Sequence, residues 1–224
     1  MVELAFPETP KHELVFAHEG VEKGLGPKVV TSRVVLGEPS AVRIDDATLG
    51  DDLELKRFFA GQKDQWSFHA VQLSCSFEAG DGETFERALF TVQLSAQGAA
   101  AGQEPIAWSM TPFKLVQKVE IKDTASIGAD LKLVKSELGS DATYPDNELY
   151  LVAYNERCSN PYWRLKAVRG ITIEGVQRLH MIVRVPRDVP SLGRLDVGAD
   201  IRARRFLMPC KAPVPNIPQL SFSL

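Results

Sequence analysis

Arginines recur through the C-terminal half at spacings that could turn a charged face towards anions. Arg164 and Lys166 fall in phase with Tyr162, Arg178, His180 and Arg184 form a second in-phase set, and Arg194, Arg202 and Arg204 a third. Alternate residues of a strand share a face, so each set points one way. If these strands are neighbours, their outward arginines make one positive sheet face, able to hold phosphates electrostatically, with Tyr162 and Trp163 available for stacking. Arg205 breaks phase after Ala203 and suits a bulge, a strand end or contact with an acidic partner. The candidate binding residues are therefore Tyr162, Trp163, Arg164, Lys166, Arg178, His180, Arg184, Arg194, Arg202, Arg204 and Arg205. Between residues 157 and 211, twelve Lys/Arg stand against four Asp/Glu. Glu174, Asp196 and Asp200 are interleaved and can pair with the arginines across strands. The sequence pI of about 5.9 lacks the strongly basic balance of a nucleic-acid-binding domain, which makes nucleic acid a less favoured partner than protein.

Nucleophilic catalysis needs a Ser, Cys or Thr within hydrogen-bond reach of a base. Four histidines are present, His12, His18, His69 and His180. His69 is in phase with Val71 and reads as a core or near-core ring. A Cys158–His180 dyad has no local signature behind it. Asp45, Asp46, Asp51 and Asp52 come as adjacent pairs, unlike the alternating ligands of a calcium loop, and read as a solvated turn and a helix cap. No GxxxxGK[ST] motif is present, and Gly24-Leu25-Gly26-Pro27 reads as a turn before a strand. No cofactor and no metal is expected. The three cysteines, Cys75, Cys158 and Cys210, show no CxxC spacing and read as reduced thiols, with a Cys158–Cys210 disulfide as the minor alternative.

The elements that would position these groups are mostly strands. Leu195, Val197, Ala199 and Ile201 alternate with Arg194, Asp196, Gly198, Asp200 and Arg202, which gives one face to a core and one to water. Ser67 to Phe77 and Thr84 to Ser95 alternate in the same way around Gly80-Asp81-Gly82, a hairpin pattern. Further strands are expected over 14–17, 28–36, 41–44, 113–122, 127–134, 148–154, 162–174, 178–185 and 194–208. One helix is expected near 51–60, with Asp51 as N-cap, Glu54 three residues on, and Gly61 as its stop. Four prolines between Pro209 and Pro218 imply an extended tail.

These patterns predict an all-β chain, an antiparallel β-sandwich of two sandwich halves with one short helix. The expected divisions are an acidic N-terminal half (1–104), a basic C-terminal half (105–208) and a Pro-rich tail (209–224). Residues 1–112 carry nine Lys/Arg against 17 Asp/Glu, and residues 113–224 carry 17 against 12, within a formal net charge of −3. A faint echo, Trp66 before Ala70-Val71 and Trp163 before Ala167-Val168, would suit duplication. No apolar run approaches the roughly 20 residues of a spanning helix, and the acidic, proline-broken N-terminus lacks a signal peptide's n- and h-regions. The expected location is cytoplasmic.

Opposite charge in the two halves and a proline-rich tail point to a non-catalytic interaction or assembly subunit acting through charged sheet faces, with a protein partner or self-association. The alternatives are a binder of an anionic ligand, nucleic acid or a membrane surface through the 157–211 strands, and an enzyme with a site between the halves.

Overall fold

Alternating side chains can bury their apolar face either beside a neighbouring strand or across from a second sheet. This chain does both. The structure, a computed structural model, describes residues 2–6, 11–15, 31–116, 124–127, 149–205, 208–212 and 220–224. In chain order the elements are β1 (Val2–Ala5), β2 (Lys11–Val15), β3 (Arg33–Gly37), β4 (Ser40–Ile44), α1 (Leu53–Gln62), β5 (Trp66–Glu78), β6 (Glu83–Ala96), β7 (Ile106–Thr111), β8 (Lys114–Leu115), β9 (Thr124–Ile127), β10 (Leu151–Tyr154), β11 (Tyr162–Lys166), β12 (Gly175–Pro186), β13 (Ser191–Arg205), β14 (Met208–Ala212) and β15 (Leu220–Ser223). The strand expected over 127–134 lies almost wholly outside the described residues, as do residues 28–30, His18 and the middle of the tail, 213–219.

One sheet runs β14-β13-β6-β11-β10-β8 with β15 also on β13; the other runs β2-β3-β5-β12-β7 with β4 also on β5. β1 and β9 form a separate pair. All pairings are antiparallel, so the expected all-β antiparallel sandwich with one short helix is the observed architecture.

β5 and β6 are not a hairpin. They lie in different sheets, and the Gly80-Asp81-Gly82 turn carries the chain from one layer to the other. Their apolar faces meet across the sandwich, with Phe77 edge-on to Phe85 at 5.0 Å and to Phe90 at 6.1 Å. β12 and β13 repeat this arrangement: β12 pairs with β5 along its whole length, and β13 with β6. Each sheet thus holds strands from both sides of residue 104, and one core gathers Val71, Leu73 and Phe90 with Leu179, Met181 and Val197. The tail does not trail away; β14 and β15 both add to β13.

Helix α1 starts one residue later than expected. Asp52, not Asp51, is the N-cap, its Oδ1 accepting from the amides of Glu54 at 3.2 Å and Leu55 at 3.1 Å. Gly61 lies inside the helix, which is capped by Lys63. Leu55 and Phe59 press onto the outer face of the six-stranded sheet, where they form a second cluster with Ile44, Leu49, Phe68, Ala70 and Ile182. That face of the sheet is therefore covered by α1 beside Ile182, and by Phe6 beside His180.

Candidate functional site: an arginine–tryptophan stack

The outer face of the six-stranded sheet changes character at the edge of the α1 cluster. Ile182 belongs to the cluster, and two residues on along β12, on the same face, stands Arg184. Trp66, at the head of β5, is registered with Pro186, so its ring reaches Arg184, whose Cζ sits 3.9 Å from the Trp66 ring centroid.

Trp108 arrives there through a bulge. Ile182 pairs with Ser109 and Val183 with Ala107, leaving Trp108 as the extra residue of β7. A bulge turns a side chain out of strict alternation. Ala107 and Met110 remain in the inner core, while Trp108 packs on the outer cluster against Phe58 and Phe68.

The fourth member comes from the loop after β10. Asn155 and Arg157 both have positive φ, 59° and 68°; Asn tolerates this, whereas for Arg it is strained. The loop is tied down along the free edge of β7. The Arg157 amide donates to the Ala107 carbonyl at 2.7 Å, the Ala107 amide to the Cys158 carbonyl at 3.0 Å, and the Met110 amide to Glu156 Oε1 at 3.1 Å. The Ser159 hydroxyl donates to the Pro105 carbonyl at 2.6 Å. These bonds set the Arg157 guanidinium over Trp108, with Cζ 3.5 Å from the ring centroid. Arg184 Cζ lies 5.0 Å from the same ring.

The result is a stack of alternating cations and rings: Arg157, Trp108, Arg184, Trp66. The rings satisfy the guanidinium faces through cation–π attraction and leave the N–H edges to act as hydrogen-bond forks. Among the described residues neither guanidinium has an ion-pair partner, and the Nε–H of Arg184 is buried without an acceptor. Burial and then the charge of Arg157 lower the pKa of Arg184; burial lowers that of Arg157, and the Glu156 carboxylate opposes that effect. Two guanidiniums thus stand close enough for their charges to oppose one another, with neither in an ion pair among the described residues.

Only Arg184 of this set was among the residues read from the sequence. The others are dispersed. Tyr162, Arg164, Lys166, Arg194 and Arg202 lie on the outer face of the seven-stranded sheet, while Arg178, His180 and Arg184 lie on the outer face of the other sheet, pointing away from them. A single positive face does not form. Arg202 pairs with Glu86 at 3.5 Å, and Arg87 with Asp200 at 3.0 Å. Tyr162 stacks on Tyr154 with centroids 4.8 Å apart, and Arg164 Cζ lies 5.1 Å from the Tyr154 ring. Trp163 is fully buried in the core and donates its indole N–H to the Pro112 carbonyl at 3.1 Å, so it offers no stacking face. His180 is buried beside Phe6 and Gln72. Arg204 and Arg205 belong to β13, with side chains outside the described residues.

The Cys158–His180 dyad, for which the sequence offers no local signature, does not assemble. Cys158 sits beside Ala107, opposite Val183, three residues along β12 from His180, about 10 Å at a strand's rise. Cys158 is an exposed free thiol, which corrects the disulfide alternative. Among the described residues no group of three or more His, Cys, Asp or Glu is placed to hold a metal, and no helix is long and apolar enough to cross a membrane.

The missed residues left traces. Ala107 and Met110, apolar and three apart inside a six-residue strand, cannot both face inward without a bulge between them, and the residue that bulges is a tryptophan.

No protein-family model matches the sequence, and neither does any curated protein. Solved structures that resemble the chain include Clostridium perfringens delta-toxin, at 8% identity and TM-score 0.32 over 96% of this chain and 86% of the toxin. The membrane-inserted form of the Clostridium perfringens NetB toxin resembles it at 8% identity and TM-score 0.34, over 96% and 95% of the two chains. A further structure described as a pore forming protein gives 7% identity and TM-score 0.34, over 95% and 89%. The neighbours are pore-forming toxins and not adaptor subunits, which overturns the expected role as an assembly subunit acting through charged sheet faces. Likeness at this level carries none of the toxins' properties to this chain.

Proposed function

We propose that the chain is a binding protein for a small oxoanion-bearing ligand, taken at the Arg157–Trp108–Arg184–Trp66 stack. The observation that carries this reading is the pair of guanidiniums beside Trp108, at 3.5 and 5.0 Å from its centroid, neither of them in an ion pair among the described residues. Like charges repel, and a fold gains nothing by packing two of them together in part-buried surroundings unless something neutralises them. The unaccepted Arg184 Nε–H and the strained Arg157 backbone support the same reading, since strain and unsatisfied donors concentrate where ligands complete the structure. This site is local and differs from the broad basic face expected from the sequence.

The test is a titration of the full chain with sodium sulfate, sodium phosphate and sodium acetate against sodium chloride at matched ionic strength, followed by tryptophan emission. Trp163 is sealed in the core, so emission changes report on Trp66 and Trp108. Saturable responses to oxoanions, weakened at least tenfold in Arg184→Met, are expected. No saturable response to any of the three anions would refute the reading.

A further inference from the structure

A single oxoanion would leave the site half neutralised, and this step rests on the oxoanion reading above. Arg157 lies 3.5 Å from the Trp108 centroid, whereas the nearer ring to Arg184 is Trp66, at 3.9 Å. Each guanidinium is therefore stacked on its own indole and offers a separate set of N–H donors. One oxoanion pairs with one guanidinium through two parallel N–H···O bonds. The other charge then stays uncompensated, although burial, and after it the charge of Arg157, already lowers the pKa of Arg184.

The two charges are close enough for one small molecule to reach both. Arg157 and Arg184 stand 3.5 and 5.0 Å from the same Trp108 centroid, so their Cζ atoms are at most 8.5 Å apart, those two distances laid end to end. Arg157 is exposed and Arg184 half-buried. Joining two anionic groups by a short tether makes the second contact intramolecular, and a tether that fits the span raises affinity about 10²–10⁴-fold over one group alone. The loop bonds along β7 fix Arg157 in advance, so little ordering is left to binding.

We infer that the Arg157–Arg184 pair takes a small dianion whose two oxoanionic groups end a short chain, one group on each guanidinium.

The experiment compares probes on the full chain by calorimetry at fixed ionic strength: butyrate, propyl phosphate, and the dicarboxylates succinate, glutarate, adipate and pimelate. Propyl phosphate controls for charge, since it carries about −1.5 to −2 on one centre near neutrality. Affinity should pass through a maximum within the dicarboxylate series, at least tenfold above both butyrate and propyl phosphate. Arg157→Met and Arg184→Met should each, alone, bring the best dicarboxylate down to the level of butyrate. If no dicarboxylate exceeds butyrate tenfold, if propyl phosphate matches the best of them, or if either variant leaves the maximum in place, the two-centre assignment fails and the oxoanion reading stands. The chain-length series on the parent decides by itself should a variant not fold. If no probe binds, both readings fail.

Discussion

The guanidinium of Arg157 lies 3.5 Å above the centre of the Trp108 ring, and the residue that delivers it has φ of 68°. A favourable contact is thus bought with an unfavourable backbone. Left-handed backbone disfavours a non-glycine residue by about 1–2 kcal/mol, and an exposed cation–π contact returns about 0.5–1 kcal/mol. Arg157→Gly should therefore leave stability within about 1 kcal/mol of the parent, whereas Arg157→Ala, which loses the stack and keeps the strain, should fall about 1 kcal/mol below Arg157→Gly. Urea unfolding of the three proteins measures this, and equal midpoints for the Ala and Gly variants would remove strain from the account.

His69 titrates across an unusual range. Its ring, on the inner side of β5 between Arg43 and Val183, has its pKa lowered to about 4 by burial and then by the charge of Arg43. The folded state therefore resists a proton that the unfolded chain accepts near 6.5. Stability from this residue is fully present above about pH 6.5 and is lost as the pH falls from there towards 4, because the unfolded state binds more protons in that window. The total is on the order of 2–3 kcal/mol. Subtracting the pH–stability curve of His69→Gln from that of the parent isolates it; a flat difference between pH 4 and 7 contradicts the prediction.

Glu83 anchors the start of β3 to the turn after β5. Its carboxylate is buried and accepts from the Thr31 amide, from the Ser32 amide at 2.8 Å and from the Ser32 hydroxyl at 2.7 Å. Hydrogen bonds to a charged acceptor are worth about 1.5–3 kcal/mol each when removal leaves donors stranded. Glu83→Ala should destabilise by roughly 3 kcal/mol, and Glu83→Gln, which keeps one carbonyl oxygen, by about half of that. Guanidinium unfolding midpoints decide, and equal losses in the two variants would contradict the role given to the carboxylate oxygens.

Gly193 is a seat for Phe222. A Cβ at 193 would stand 2.1 Å from the Phe222 ring, and the two residues are registered partners across β13 and β15. Gly193→Ala should displace the ring and undock β15, with a loss of about 2–4 kcal/mol, comparable to truncating a buried aromatic. Faster removal of the C-terminal residues by carboxypeptidase is the expected readout; parent-like resistance would show that the ring has room to move.

What the sequence disclosed was facing. Leu195, Val197, Ala199 and Ile201 point inward and Arg194, Asp196 and Arg202 outward, as their alternation implies. Sheet membership was not legible, because Phe77 and Phe85 satisfy the same alternation whether their strands lie side by side or face to face. The helix was legible to within one residue, since Asp51 and Asp52 offer the same capping oxygen and only backbone geometry selects between them. The site was mostly hidden. Arg184 shows its phase plainly, but Trp66, Trp108 and Arg157 meet through a bulge and a loop, and neither leaves a periodic signal.

The two layer-to-layer turns, at residues 79–82 and 187–190, lie at opposite ends of the sandwich, because β5 and β12 run antiparallel. Neither layer is complete until the later arch has docked onto the earlier one. During synthesis, β5 and β6 emerge from the ribosome well before β12 and β13; β5 then has β3 and β4 along one edge, and β6 has neither neighbour. The nascent N-terminal portion therefore waits as an unfinished template, exposed to holdase chaperones, and completes its native pairing only when the second arch has left the exit tunnel.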